Sequence, residues 1–161
     1  GLSFSYAIAG NSIQVSSTFS TTSGSNYLGL DNPDTAFYLG DSFTINFNRT
    51  VHAVGLYVIA GNDTQAGDME LSVGGGSVFN SAIADVLVSD GQAFYLGLVE
   101  SDIGSGFTSA TLTGTFTPGA FLAFTVDDVT SAVSAVPEPQ TWLLMLAGLG
   151  AASALARRRR R

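Results

Sequence analysis

Only 12% of the 161 residues are charged, glycines number 19, and cysteine and lysine are absent. Apart from Arg49 every basic residue lies in the terminal run Arg157–Arg161, so the preceding chain sets one arginine against 13 acids, a balance of −12. That body excludes nucleic acid and anionic lipid as partners, since both need clustered Lys or Arg, and a chain without cysteine has no disulfide framework, thiolate metal site or cysteine nucleophile.

The length suits one domain plus a tail. No basic stretch followed by an apolar run opens the chain at Gly1, so any secretory leader is expected to have been removed or to lie outside this stretch. Leu2 to Ile8 alternates Leu2, Phe4, Tyr6 and Ile8 on one face, and Ser42 to Phe47 alternates Phe43, Ile45 and Phe47. Strand-type runs continue at Val51 to Ile59, Met69 to Val73, Ala93 to Val99, Ser109 to Phe116 and Phe121 to Val126. Gly74-Gly75-Gly76 and Asp90-Gly91 are turn signals. No window ahead of the tail has helical periodicity. The pattern predicts an all-β, antiparallel sandwich or jelly roll over residues 1–129, with 130–136 as a linker.

His52, the only histidine, sits in an alternating run without a Gly-x-Ser-x-Gly elbow, and reads as structural. Glu70 and Glu100 are the only glutamates of the domain, the pair a glycan hydrolase would need close in space. Calcium takes carboxylate and carbonyl oxygens from loops. Asp127 and Asp128 are its first candidate ligands, ahead of Asp31-Asn32-Pro33-Asp34 and Asn62-Asp63 through Asp68, although none follows the EF-hand spacing. No other cofactor is expected. Tyr27, Tyr38 and Tyr95, each in a Tyr-Leu-Gly triplet read as a strand end, are the candidate stacking platforms of a carbohydrate-binding module. Such a module would show aromatics pointing outward together on one sheet. Eleven Phe against one Trp favour aromatics in the core.

The tail opens with Val136-Pro137-Glu138-Pro139, where two prolines around a glutamate forbid a regular helix or central strand and hold the chain extended, as a peptide substrate must be. Thr141 to Ala156 follows, about 16 residues without a charge, then Arg157, Arg158, Arg159, Arg160 and Arg161. At 1.5 Å per residue a helix here spans roughly 24 Å of a ~30 Å hydrocarbon core, with Trp142 at one interface and arginine stems snorkelling at the other. The segment therefore reads as a single C-terminal transmembrane helix, and the arginines orient residues 1 to about 136 away from the cytoplasm.

Pro-Glu-Pro, an apolar span and a terminal arginine cluster, in that order, resemble the PEP-CTERM sorting signal of Gram-negative bacteria. The resemblance implies recognition of Pro137, Glu138 and Pro139 by an exosortase, a membrane-embedded transpeptidase, so these residues are substrate and not catalyst. It further implies transit through the inner membrane and delivery to the cell surface or an exopolysaccharide matrix. Phe43 to Leu56, Phe94-Tyr95-Leu96-Gly97 and Phe124 to Thr130 are similar to β-sandwich domains that precede such tails. The expectation is a structural or adhesive surface protein without enzymatic activity, with a carbohydrate-binding module, or beyond that a glycan hydrolase, as the alternative.

Overall fold

A computed structural model of the chain describes residues 1–8, 10–100, 102, 105–115 and 122–133. Pro137–Pro139, the expected membrane helix and the arginine run lie outside the described residues. Among the described residues no helix is long and apolar enough to cross a membrane.

Twelve strands are described. They are β1 (Leu2–Tyr6), β2 (Ile13–Ser16), β3 (Tyr27–Leu30), β4 (Phe37–Tyr38), β5 (Ser42–Val51) and β6 (Ala53–Ala60), then β7 (Met69–Val73), β8 (Gly76–Phe79), β9 (Val86–Val88), β10 (Gly91–Val99), β11 (Phe107–Gly114) and β12 (Ala123–Ala132). One sheet runs β1-β5-β11-β7-β8 and the other β2-β3-β12-β6-β10-β9, with β4 also on β12. The pairings are antiparallel. An antiparallel sandwich is what the period-two patterning predicts.

The alternation decides which face each strand buries. In β5, Phe43, Ile45 and Phe47 are buried while Ser42, Thr44 and Asn46 are not. Val54, Leu56, Val58 and Ala60 of β6, Phe94 and Leu96 of β10, and Phe124 and Val126 of β12 answer from the second sheet. Phe37 stacks on Phe43 at 4.7 Å and on Phe124 at 5.4 Å, so a three-ring stack crosses from one sheet to the other. Each buried Phe contributes roughly 1.5–3 kcal/mol over an exposed one.

Three departures from the sequence reading bear on the site. Thr130 to Ala132, expected as linker, continue β12 and pair with Gly55, Val54 and Ala53 of β6. The short strands β2, β3, β4, β8 and β9 carry too few residues to show a period. The Tyr-Leu-Gly triplets are not all strand ends, because Tyr27 begins β3, Tyr38 ends β4 and Tyr95 lies in mid-β10.

Candidate functional site

The face of the β2-to-β9 sheet that points away from the core is partly roofed by the β2–β3 loop, residues 17–26. That stretch reads Ser-Thr-Phe-Ser-Thr-Thr-Ser-Gly-Ser-Asn, and its hydroxyls dictate how it is held. At the far edge of the sheet, Ser20 donates from its N–H and its hydroxyl to Asp90 Oδ2, at 2.9 and 2.7 Å, and pairs with Ser89 Oγ at 2.8 Å. These Ser20 bonds hold the Asp90 carboxyl below the usual carboxylate range.

Nearer β3 the loop is tied to β12. Asp127 Oδ2 accepts from the Thr22 N–H (2.8 Å), the Thr22 hydroxyl (2.7 Å) and the Ser23 N–H (3.2 Å). Asp128 accepts from the Ser23 hydroxyl at 2.5 Å and the Thr22 hydroxyl at 3.0 Å. Consecutive strand residues normally face opposite ways, but the register of β12 shifts between Asp127 and Thr130 and Asp128 takes a positive φ of 51°. This bulge lets both carboxylates address one loop. Their oxygens therefore already meet amide and hydroxyl donors, and among the described residues no group of three or more His, Asp or Glu side chains converges as metal ligands. In the second proposed calcium loop Asn32 bonds Ala36 through both amide atoms, and Asp34 accepts from the Tyr38 hydroxyl. In the third, Asp68 Oδ2 accepts the Gln65 N–H at 2.7 Å.

Beneath the loop lies a cleft of about 280 Å³, lined chiefly by Phe19, Ile59, Asp63, Asp90, Leu122 and Thr125. Phe19 packs its ring on Tyr27 at 5.9 Å and leaves 40% of its surface exposed. Thr125 and Ile59 are register partners on the outward face, and Phe19 and the loop bury them. Thr125 Oγ1 is the one buried side-chain polar atom without a hydrogen-bond partner among the described residues. Asp63 stands exposed at the edge of the cleft.

Further along the same face, β6 and β10 place Gly55 opposite Gly97 and Tyr57 opposite Tyr95. The Tyr95 ring lies across both glycines. A Cβ on Gly55 would fall 2.0 Å from its hydroxyl and one on Gly97 2.9 Å from its Cε1. Half of Tyr95 faces solvent, and Tyr57 meets it edge to face at 5.2 Å.

The other sequence candidates separate. Tyr27 is buried and its hydroxyl pairs with Thr35 Oγ1, while Tyr38 bonds Asp34 at a corner of the fold, so of the three tyrosines only Tyr95 presents a platform. Glu70 lies on β7 of the five-stranded sheet and Glu100 follows β10 of the other, so the two glutamates stand on different sheets. His52 meets the departing chain, its Nδ1 3.2 Å from Val133 O and its backbone N–H 2.7 Å from Ala132 O. Phe19 and Thr125 escape a sequence reading because nothing local marks them, and Asp63 enters it only as part of the third proposed calcium loop. The available signal was one Phe inside a run of hydroxyl residues, which a solvated loop has no reason to hold.

Residues 135–161 match the family model of the PEP-CTERM protein-sorting motif, which agrees with the resemblance carried by Pro137-Glu138-Pro139, the apolar span and the arginines. No curated protein and no solved structure matches the chain.

Proposed function

We propose that this chain is an exported protein sorted by an exosortase-type membrane transpeptidase, with a structural or adhesive role at the cell surface or in the extracellular matrix and no turnover of its own. The match of the tail to the sorting motif carries the reading. In it Pro137, Glu138 and Pro139 are what the transpeptidase recognises, the apolar span holds the chain in the inner membrane, and Arg157–Arg161 stay cytoplasmic. The folded domain suits the role. Its last strand is clasped by β6 and His52 up to Val133, so the substrate segment starts just beyond a fixed exit. Mass spectrometry of the mature C-terminus in cells with and without a functional sorting protease tests the proposal. Truncation near Pro137 that depends on the protease supports it, and a C-terminus at Arg161 in both strains overturns it.

A second reading, glycan binding by the domain, is favoured by Tyr95. A half-exposed ring lodged against two glycines, with a second tyrosine edge to face beside it, offers a surface on which a sugar's apolar face can stack. Loss of glycan binding in Tyr95→Ala tests it.

A further inference from the structure

We infer that the outward face of the β2-to-β9 sheet binds a neutral oligosaccharide along β6, with one sugar ring on Tyr95 and another seated in the Phe19–Thr125 cleft. The inference rests on the glycan reading and adds to it a second subsite and a direction.

The cleft selects its ligand by what it lacks. Asp63 and Asp90 are acceptors only, and Asp90 keeps Oδ1 free of the Ser20 bonds that occupy Oδ2, so the ligand must bring donors. Thr125 Oγ1 is an additional polar group at the floor, 96% buried as a residue, whose hydrogen-bonding capacity no atom of the described residues uses. An orphaned buried hydroxyl costs free energy unless something polar reaches it. Phe19, Ile59 and Leu122 supply apolar wall, which a hydrated metal ion does not use and the carbon face of a pyranose does. At about 280 Å³ the cleft is near the lower limit for small-molecule sites, enough for one ring. The roof is a loop held by Ser20 and Thr22 hydrogen bonds rather than by strand pairing, so it can lift to admit that ring.

The two subsites have a fixed spacing. Ile59 lines the cleft and Gly55 lies under Tyr95, four residues apart on one strand. At ~3.3 Å per residue they are about 13 Å apart, which one monosaccharide cannot bridge and a short oligomer can.

The test uses the full chain in a zwitterionic, sugar-free detergent, with cello-, laminari- and manno-oligosaccharides of one to six units measured by calorimetry. For the series that binds, affinity is expected to climb with length and to level off once both subsites are spanned. Thr125→Val and Asp63→Asn are each expected to weaken the long oligomer about tenfold and to remove the gain with length, the loss of one hydrogen bond to a charged or desolvated group. Thr125→Val should melt no lower than the parent, because it replaces an unpartnered hydroxyl by a methyl, and so the fold is retained when binding falls. If both variants bind the long oligomer like the parent while Tyr95→Ala does not, the cleft is no subsite and only the Tyr95 reading stands. If the parent binds none of the oligomers, both fail. If an alkylammonium ion protects the cleft where sugars do not, its ligand is a cation and the inference is wrong.

Discussion

The Tyr95 hydroxyl fills the space 2.0 Å from where a Cβ on Gly55 would stand, whereas 1.9 Å from the equivalent point on Gly29 lies the backbone carbonyl oxygen of Thr35. The two contacts are equally short and physically different. A tyrosine tip can swing into solvent, but Thr35 sits at a positive φ of 50°, rare for a β-branched residue, and its carbonyl is fixed by the Asn32–Ala36 turn. Gly55→Ala should therefore cost under about 1 kcal/mol, and Gly29→Ala about 3 kcal/mol or more. Urea unfolding with an unchanged m-value checks both. Equal costs would mean that Tyr95 is as fixed as backbone.

Asp127 ties the roofing loop to β12 through three donors at one carboxylate oxygen, in a residue only 6% exposed. Asp127→Ala leaves the Thr22 and Ser23 N–H groups without their acceptor, at a cost of about 2–3 kcal/mol. Amide exchange should quicken at Thr22 and Ser23, and protease cleavage should appear within residues 17–26. Because those donors already satisfy the carboxylates, chelator and millimolar calcium should both leave the melting temperature unchanged. A rise of several degrees with calcium would assign Asp127 and Asp128 to a cation instead.

The sandwich was legible from the alternation of Phe43, Ile45 and Phe47 and from the strand-type runs that become β6, β10 and β11, because strands of eight or more residues carry enough apolar positions to stand out between turn signals. Asp127 and Asp128 were legible as a pair that acts together, but not their partners. Thr22 lies 105 positions from Asp127, and only the bulge in β12 turns both carboxylates toward it. The Tyr95 platform depends on Gly55 and Gly97 facing each other, a register that no local pattern specifies. Thr125 reads as an ordinary strand threonine until the loop closes over it.

Tyr6 joins β1 to the β4–β5 corner by donating to Asp41 Oδ1, while Asp41 Oδ2 accepts the Tyr38 N–H at 2.7 Å. Burial, then the Asp41 carboxylate, raise the Tyr6 phenol well above its ordinary value of 10.0. The hydrogen bond to Asp34, then burial, push Tyr38 up to about 12. A raised folded pKa favours the neutral phenol in the native state. The stability it confers is thus complete below about pH 10 and is lost as pH climbs through the folded values. Unfolding free energy should fall between pH 10 and 12, with ionisation at 295 nm delayed relative to the unfolded chain. Tyr6→Phe should remove about half of that decline, Tyr38 accounting for the rest, and an equally steep decline in the variant would place its cause elsewhere.

The last described pairing of β12 with β6 is at Ala132, and the sorting motif begins at Pro137. Five residue steps reach at most about 18 Å, so a membrane-embedded transpeptidase that grips Pro137-Glu138-Pro139 must work against the edge of the folded domain. Two outcomes follow from this reach. Glu138→Ala removes the one charge held between the prolines and should abolish processing without altering the melting temperature. Deleting Ser134 to Val136 shortens the tether below what the enzyme needs and should slow processing, while adding ten Gly/Ser residues before Pro137 should leave it intact or quicken it, as followed by pulse-chase conversion to the shorter form. If the deletion is processed at the parent's rate, the enzyme does not approach the domain, and the His52 clasp on Val133 has no part in presenting the motif.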